Sequence, residues 1–423
     1  PRCIESLMLS SAHIDLDAFF ASAEQERLGA VGKPLVVGGT GLRGAVSSAS
    51  YEARRLGIKA GGSTLGLKDR YPGIIIVNPD IEYYKKTSER VMKAVSSVEL
   101  PWQQLSIDEA VIDLRGAGDS LGRDEWAGVR IMERLRTHIR EETGLSTSVG
   151  VSQGHLSAKV ASEEAKPNGM RIVTAEEIEH WWRQRECRVI PGIGTETESV
   201  LNRHEIRTLG DAVSVGERNL RDILGESRGV WLYGCATLKN DVPGLPGGVR
   251  SGASMSAGHT LERDTGDVEV LARHTQPLVA ALCGRLLQER QVSGCVGVRI
   301  KWSNGKEESR RKRCRLEREY SYLYRVARDV LLDVMRGEFR EVRGITVFFE
   351  QIADGDAAAS LFEENDTANE TGGLTPGSLV THPVLGDGVL IDAGKEWWQV
   401  AFADRTRWVM SEHMIGEANR DDV

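Results

Sequence analysis

The stretches His13-Ile-Asp-Leu-Asp-Ala-Phe-Phe20 and Ser106-Ile-Asp-Glu-Ala110 decide the fold of this chain. Each is a short apolar run that carries carboxylates, as an extended strand with polar ends does. Residues i and i+2 of a strand point to the same face, so Asp15 and Asp17 are predicted to share one side. Asp108 and Glu109 fall where a second hairpin would turn. If the two strands are neighbours, up to four carboxylates converge at one sheet edge, and only cations can stabilise such a cluster.

Hard oxygen ligands in this number favour magnesium or manganese over zinc, and no Cys/His set competes for the role. Two metal ions clamped by carboxylates are the usual means of phosphoryl and nucleotidyl transfer. Taken alone, however, an Asp-x-Asp strand is more often a solvated sheet edge than a metal site, and Asp-Glu before an apolar residue is a weaker signal still. The neighbouring motifs have to decide between these interpretations.

Composition bounds the answer before any motif is read. A chain of 423 residues with 40% hydrophobic and 27% charged content is long enough for two to four domains of an ordinary soluble protein. No apolar run reaches the roughly 20 residues of a membrane span, and the first residues are too mixed for a signal peptide. The six cysteines are scattered without a C-x-x-C pair, which fits free thiols in a reducing cytosol. The net charge of −8 fits a nucleic-acid partner only if positive charge is segregated.

Two further motifs stand in order with the carboxylate stretches. They are Ser48-Ala-Ser-Tyr51-Glu-Ala-Arg54-Arg-Leu-Gly-Ile58 and Ala158-Lys159-Val-Ala-Ser-Glu-Glu-Ala-Lys-Pro-Asn-Gly169. Together the four motifs closely resemble the Y-family translesion DNA polymerases, nearest the bacterial DNA polymerase IV type. The resemblance runs from about residue 12 to about residue 352. It implies a low-fidelity, distributive, DNA-directed DNA polymerase of DNA damage tolerance and repair, a mutator, that adds deoxynucleotides to a primer by two-metal nucleotidyl transfer.

The resemblance assigns roles to residues of the first half of the chain. Asp15, Asp108 and Glu109 are the expected catalytic carboxylates and hold two Mg²⁺ ions, for which Mn²⁺ can substitute; Leu16 contributes its carbonyl oxygen, and Asp17 is a supporting carboxylate. Phe20 is the expected steric gate against a 2′-hydroxyl, since a filled site rejects an added polar group. Phe19 is expected to pack in the core and to line the nucleotide site. The other expected nucleotide contacts are Ser47, Ser48, Tyr51, Arg54 and Lys159.

The expected fold class is α+β and multidomain, a right-hand polymerase with a ferredoxin-like palm. Strand, helix, strand, strand, helix and strand follow one another outside a small inserted segment, which is the pattern of that palm. Residues 12–20 are predicted as a strand, Tyr51 and Arg54 as neighbours on one helix face, and Lys159 and Lys166 as one face of another helix, with Lys166 left as a candidate DNA contact. The predicted domains are palm 1–22 and 81–182, fingers 23–80, thumb 183–248, little finger 249–352, linker 353–373 and a small barrel 374–417.

Two segments are expected to contact DNA. Val189-Ile-Pro-Gly-Ile-Gly194 resembles a helix-hairpin-helix whose Gly192 and Gly194 expose backbone N–H groups to a phosphate, although Glu196 and Glu198 weaken that grip. Residues 299–318 carry nine basic and three acidic side chains. This concentration favours sequence-tolerant backbone contact with duplex DNA, and the expected contacts are Arg310, Arg311, Lys312, Arg313 and Arg315.

The last quarter of the chain departs from the usual polymerase plan. Residues 353–373 are acidic and small, which predicts a flexible linker. Within it, Ser360, Leu361 and Phe362 resemble the end of a sliding-clamp-binding peptide that lacks its usual glutamine. Residues 374–417 alternate short strands with glycine turns and resemble an SH3/Tudor-like five-stranded barrel, with RNA polymerase or another protein as the candidate partner. A monomer in the bacterial cytosol, associated with the nucleoid, is expected.

Three other functions compete with this interpretation. A catalytically weak or silent polymerase-like scaffold, recruited to repair complexes through its C-terminal module, would be expected to lack some carboxylates, and all of them are present. A nucleotidyl cyclase can share the palm but needs neither a helix-hairpin-helix nor a basic domain. A DNA-binding module without activity leaves the carboxylates unexplained.

Overall fold

The structure is a computed structural model that describes residues 9–117, 126–246 and 254–355, and near the end of the chain 379–382, 386–393, 397–402, 406–410 and 415–416. The chain divides into two compact units, Pro1–Gly248 and Val249–Val423.

The first unit alternates strands and helices and then becomes helical. In chain order its elements are β1 (Ser11–Leu16), α1 (Phe19–Arg27), β2 (Leu35–Gly38), β3 (Val46–Ala49), α2 (Tyr51–Arg55), α3 (Leu67–Arg70), β4 (Ile75–Val77), α4 (Ile81–Ser96), β5 (Trp102–Gln104), β6 (Glu109–Asp113), α5 (Ala127–Thr143), β7 (Thr147–Ser152), α6 (His155–Glu164), β8 (Met170–Ile172), α7 (Ile178–Arg183), a 3₁₀ turn (Cys187–Val189), α8 (Thr195–Arg203), α9 (Leu209–Val215), α10 (Glu217–Leu224) and α11 (Glu226–Ala236).

A five-stranded sheet in the order β5-β6-β1-β7-β8 forms the centre of this unit. Omitting the edge strand β8, the order is that of a ferredoxin-like sheet, as the sequence predicted. Both neighbours of β1 are antiparallel to it, and all six residues of β1 are buried. Ile14 and its neighbours on the same face belong to a core that includes Val91 of α4 and Met132 of α5. The opposite face, which carries His13 and Asp15, is covered by α6.

The inserted segment between β1 and α4 has a small sheet and a hydrophobic core of its own. Its sheet has the order β3-β2-β4, and its core contains Val36, Ala53 and Ile74. The loop with Gly61 and Gly62 is tied to β3, since Val46 donates to the Gly62 carbonyl and Gly61 donates to the Val46 carbonyl, both at 2.8 Å. The helices that follow β8 share a separate core around Trp182 and Leu201.

The second unit begins with a four-stranded sheet covered by two helices. Its elements are β9 (Ser254–Thr265), α12 (Val268–Gln288), β10 (Gln291–Trp302), β11 (Glu307–Glu317), α13 (Tyr320–Met335) and β12 (Val342–Asp354), with the sheet order β11-β10-β12-β9. Alternate residues of β10, such as Val296, Val298 and Ile300, pack against the helices. The basic segment that was predicted to contact DNA forms β11, an edge strand of this sheet. The sequence analysis did not predict this strand.

The end of the chain forms a second sheet in this unit. Its strands are β13 (Leu379–His382), β14 (Gly386–Ala393), β15 (Trp397–Phe402), β16 (Thr406–Met410) and β17 (Ile415–Gly416), in the order β16-β15-β14-β13-β17. Five short antiparallel strands agree with the sequence pattern. Within the described residues β16 and β17 do not pair, so closure into a barrel stays a prediction.

Two predicted boundaries are wrong. The first strand ends at Leu16 rather than at residue 20, because Ala18 adopts a left-handed conformation (φ 46°) and Phe19 starts α1. The helix that carries Lys159 ends at Glu164, so Lys166 lies beyond it rather than on its face. Pro167 explains the second error, since a residue that precedes proline is disfavoured in the helical region.

Candidate active site

The register of three strand segments brings the predicted carboxylates to one place. Asp15 pairs with Glu109 across the β1–β6 ladder, and the Leu16 amide donates to the Asp108 carbonyl at 3.0 Å. Asp108 lies in the turn between β5 and β6. A cavity of about 260 Å³ opens beside them and is lined by Asp15, Leu16, Ala18, Phe19, Phe20, Ser47, Ser48, Arg54, Ala60, Asp108, Glu109 and Lys166.

Two lysines engage these carboxylates. Lys166 Nζ lies 2.8 Å from Asp15 Oδ2, and Lys159 Nζ lies 2.6 Å from Glu109 Oε1. Asp108 accepts a hydrogen bond of 2.6 Å from the Ser106 hydroxyl. Among the described residues no three side chains are drawn together as a ready metal site, because each carboxylate is turned towards its own partner. The donor set nevertheless fits a divalent cation, since three carboxylates, which are hard oxygen ligands, border one cavity.

The two strand carboxylates differ in their electrostatic surroundings. Burial raises the pKa of Asp15 to about 7, and the charges of Glu109 and Asp108 act in the same direction, against the opposing effect of Lys166. The nearby His13 ring and the ammonium of Lys159 lower the pKa of Glu109 to about 2. Clustered negative charge is thus present at the cavity, as a cation-binding site requires.

Asp17 does not line the cavity with the other carboxylates. Its side chain is 1% exposed and accepts hydrogen bonds of 2.8 Å from the Ser148 hydroxyl and from the backbone N–H of Asn168. Asp17 therefore anchors the loop after α6, and that loop carries Lys166 to Asp15. Asp17 thus supports the site by holding this loop, on the same sheet face as Asp15.

The position of α6 depends on a glycine of the neighbouring strand. An ideal Cβ on Gly150 would lie 2.0 Å from the Ala158 carbonyl oxygen and 2.3 Å from the Ser162 amide nitrogen. Helix α6 thus lies directly on the backbone of β7, a close approach that only glycine permits. This contact sets the distance from Lys159 to Glu109. The sequence analysis missed Gly150, which stands in the strand Thr-Ser-Val-Gly-Val-Ser and signals close backbone approach.

Phe20 lies at the cavity wall and is held by a second aromatic ring. It stacks on Tyr84 with ring centroids 4.2 Å apart and planes 14° apart. Tyr84 is fully buried, and its hydroxyl donates to Glu24 at 2.9 Å. Arg27 pairs with the same carboxylate at 2.8 Å. Phe20 therefore has a fixed orientation. Its neighbour Phe19 is 3% exposed and belongs to the core while also bordering the cavity.

The inserted domain supplies polar groups to the same region. The Arg54 guanidinium lies 4.8 Å from the centre of the Tyr51 ring, which confirms that the two residues share a helix face. Arg54 Nε donates to the Ala49 carbonyl at 2.9 Å. Within the described residues the buried Tyr51 hydroxyl has no hydrogen-bond partner, and burial raises its pKa to about 12. A neutral donor and a cation are therefore available for a ligand.

The predicted helix-hairpin-helix glycines precede α8. Gly194 is the N-cap of this helix. Gly192 adopts φ 102°, a backbone conformation that residues with a side chain adopt only under strain. Glu196 and Glu198 lie in the first turn of α8, where an anion would be bound. Their negative charges would repel a phosphate at this helix N-terminus, as the sequence suggested.

The five predicted basic contacts of β11 do not share one face. Arg311 and Arg313 stand opposite Gly297 and Cys295 on the sheet face away from the helices, whereas Arg310 and Lys312 stand opposite the core residues Val298 and Val296. Four of the five meet acidic partners: Arg310 meets Glu308, Arg311 meets Glu350, Lys312 meets Asp329 and Arg315 meets Glu317.

The clamp-like residues Ser360, Leu361 and Phe362 lie outside the described residues. Among the described helices none is long and apolar enough to cross a membrane.

A palm-like sheet with converging carboxylates, an aromatic ring at the cavity wall and a nearby arginine is an arrangement typical of nucleotidyltransferases of the polymerase class. Comparison with known proteins supports this class. The chain matches the impB/mucB/samB family model over residues 14–163 and the model of that family's C-terminal domain over residues 253–361.

Several curated relatives are DNA polymerase IV proteins. That of Halorhodospira halophila is 33% identical over 301 residues, covering 71% of this chain and 83% of the relative. That of Methanoculleus marisnigri is 31% identical over 361 residues, covering 83% and 97%. A solved chimeric Y-family DNA polymerase aligns with a TM-score of 0.72 at 26% identity and covers 81% of this chain and 99% of its own. The chain belongs to the Y family of DNA polymerases, in its DNA polymerase IV group, and is a DNA-directed translesion DNA polymerase. Polymerases of this family use divalent metal ions.

Proposed function

We propose that the cavity beside β1 is the polymerase active site and that Asp15, Asp108 and Glu109, with the Leu16 carbonyl, hold two Mg²⁺ ions, for which Mn²⁺ can substitute. One observation carries the proposal: the pairing of Asp15 with Glu109 puts these carboxylates around the same cavity as Phe20 and Arg54. When bound, the ions activate the primer 3′-hydroxyl and stabilise the leaving pyrophosphate.

The triphosphate is bound by the chain's own cationic and hydroxyl groups. Arg54 is exposed and aligned by its bond to Ala49, and the unpartnered Tyr51 hydroxyl is ready to donate. With a cation held by Glu109, Lys159 would be released to pair with the phosphates. Each group would then keep a partner of opposite charge, so neither charge would be left unpaired in a half-buried site. Ser47 and Ser48 border the incoming nucleotide.

Phe20 selects deoxyribose. Its ring is fixed by Tyr84, so a 2′-hydroxyl would overlap it and lose its water without gaining a partner. Asp17 supports the site from outside by holding the loop of Lys166.

The substrates are primer–template DNA and deoxynucleoside triphosphates. One solved relative is an insertion ternary complex of Dbh DNA polymerase with a TM-score of 0.56 at 26% identity, and this supports a site for both. In this chain Arg311 and Arg313 are the leading contacts to the DNA backbone, with Gly192 and Gly194 as weaker ones. Contacts of this kind carry no sequence information and give distributive, sequence-tolerant synthesis. The open cavity is consistent with low fidelity.

The remaining assignments follow from the sequence and the family. Palm 1–22 and 81–182, fingers 23–80, thumb 183–248, little finger 249–352 and linker 353–373 are the proposed domains, with the barrel 374–417 at the end. The linker's Ser360, Leu361 and Phe362 are proposed to bind the sliding clamp and the barrel to dock RNA polymerase or another protein. A monomer in the cytosol near the nucleoid is proposed.

Primer extension on a defined template tests the site. We expect short deoxynucleotide addition by the wild type with Mg²⁺ or Mn²⁺ and none by the double variant Asp108→Asn/Glu109→Gln. Thermal unfolding and DNA binding of the variant, compared with the wild type, show that the loss is chemical. Equal primer extension by the wild type and the double variant would show that Asp108 and Glu109 are not required for catalysis.

A further inference from the structure

His13 is a buried polar side chain to which no role has yet been given. It lies two residues before Asp15 on the same face of β1, and it is 1% exposed. Its two ring nitrogens face different partners. Nδ1 is 2.8 Å from the Ser162 hydroxyl oxygen on α6, and Nε2 is 3.8 Å from Glu109 Oε2.

The Nε2 atom points towards the carboxylate of Glu109. Within the described residues it has no full hydrogen-bond partner, since 3.8 Å exceeds the distance of such a bond. A buried N–H group without a partner is costly, so a shift of Glu109 towards His13 by less than 1 Å would be favourable. Glu109 Oε1 is held from the other side by Lys159 at 2.6 Å. The carboxylate therefore lies between the Lys159 ammonium and the His13 ring.

The tautomer of His13 depends on the partners of its two ring nitrogens, Ser162 at Nδ1 and Glu109 at Nε2. The Ser162 hydroxyl carries one proton and lies within reach of two acceptors, His13 Nδ1 at 2.8 Å and the Lys159 carbonyl at 2.7 Å. In the structure the hydroxyl donates to the Lys159 carbonyl. The negative carboxylate of Glu109 faces Nε2 and favours the tautomer with the proton on that atom, and Nδ1 then accepts from the Ser162 hydroxyl, which lies within reach.

We propose that His13 is a positioning residue that orients Glu109 as a metal ligand, with Ser162 fixing the His13 tautomer. The proposal rests on the assignment of Glu109 under Proposed function. When Lys159 moves from Glu109 to the triphosphate, His13 keeps a hydrogen-bond donor on Oε2 and leaves Oε1 free for the cation. Outer partners of this kind commonly change metal affinity by about 10-fold to 100-fold.

Two substitutions of His13 separate a donor from a space-filling role. His13→Phe keeps a ring of similar size and removes both nitrogens, whereas His13→Gln retains an N–H donor near the position of Nε2. We expect His13→Phe to raise the dissociation constant of Mn²⁺, measured by calorimetry on the full chain with Mn²⁺ as the only ligand, by about 10-fold. The Mg²⁺ concentration that half-saturates primer extension should rise by a similar factor. The KM for deoxynucleotide at saturating Mg²⁺ should stay at the wild-type value, and His13→Gln should restore most of the metal affinity.

A matched pair of serine variants gives an independent test that does not depend on the folding of His13→Phe. Ser162→Ala removes the tautomer-fixing hydroxyl, and we expect about threefold weaker Mn²⁺ binding, as for the loss of one neutral hydrogen bond. Ser152→Ala removes a buried hydroxyl under the same helix, one that accepts from Ser157 rather than facing Glu109, and should bind Mn²⁺ as the wild type does.

Each of three results would overturn the proposal. A folded His13→Phe could bind Mn²⁺ with wild-type affinity, His13→Gln could lose as much Mn²⁺ affinity as His13→Phe, or the two serine variants could bind Mn²⁺ equally well. The proposed function fails by a different result, the absence of extension by the wild type or its persistence in Asp108→Asn/Glu109→Gln.

Discussion

Replacing Gly150 with alanine would press a methyl group into the backbone of α6. The added Cβ would lie 2.0 Å from the Ala158 carbonyl oxygen, whereas ordinary contact begins at 3.4 Å. The helix must therefore move away from β7 by about 1.4 Å, the difference between these two distances, because backbone atoms cannot rotate aside as a flexible side chain can. Crowding of this kind costs about 1–3 kcal/mol of folding free energy.

The larger effect is expected on catalysis. Helix α6 carries Lys159 to Glu109 and Ser162 to His13, and the loop after it carries Lys166 to Asp15. A displacement of about 1 Å in positioning groups can reduce a rate by about 100-fold. We therefore expect Gly150→Ala to lower the single-turnover rate of nucleotide addition by about 100-fold while the free energy of unfolding falls by about 2 kcal/mol.

Urea unfolding and rapid-quench primer extension measure the two effects on the same preparation. Gly116→Ala is the matched control, since a Cβ there would meet only the Leu100 side chain at 3.7 Å. Its rate and stability should equal those of the wild type. A folded Gly150→Ala with an unchanged rate would refute the argument that this glycine sets the positions of Lys159 and Lys166.

The remaining predictions concern stability and DNA binding. The capping box at the start of α9 keeps the pKa of Asp211 below its usual value, chiefly through the backbone N–H of Thr208. Asp211→Ala should cost about 1 kcal/mol at pH 7, and the deficit should shrink as the pH falls through about 4; a deficit independent of pH would contradict this. On β11, Arg313→Ala should reduce the slope of log affinity against log salt by about 0.9, whereas Arg310→Ala, paired with Glu308 and on the helix side, should change it less. If both variants changed the salt dependence equally, the assignment of Arg313 and Arg310 to different faces of β11 would not explain DNA binding.

The carboxylate strands could be predicted from the sequence because apolar runs with carboxylates at fixed spacing are local features. The pairing of Asp15 with Glu109 is not local, and only the resemblance to a family put the two together in advance. Asp17 was predicted to share a face with Asp15, and the two do lie on one face, since Asp17 accepts from Ser148, the residue that pairs with Asp15 between β1 and β7. The sequence did not show that Asp17 would be occupied by Ser148 and the backbone of Asn168 rather than border the cavity.

The basic segment shows a different limit of sequence reasoning. Its net positive charge was evident, but its secondary structure was not predicted. As strand β11 it alternates, so Arg311 and Arg313 separate from Arg310 and Lys312. The acidic partners, Glu350 on β12 and Asp329 on α13, come from distant parts of the chain. The positive charge counted along the sequence is therefore larger than the positive charge that one face of β11 presents to a DNA backbone.

The two lysines that pair with Asp15 and Glu109 could not be placed from the sequence, because helix α6, which carries Lys159 and leads to Lys166, packs on Gly150. A strand with a side chain at this point would hold α6 farther from β1, and the ammonium of Lys159 would then lie farther from Glu109. The same approach brings Ser162 to His13. One residue without a side chain thus allows the carboxylates of β1 and β6 to be neutralised from the helix, which lets like charges converge at the cavity while the sheet stays stable. The predicted carboxylate cluster is therefore only half of the site, and the other half is the close packing of a helix on the face that bears it.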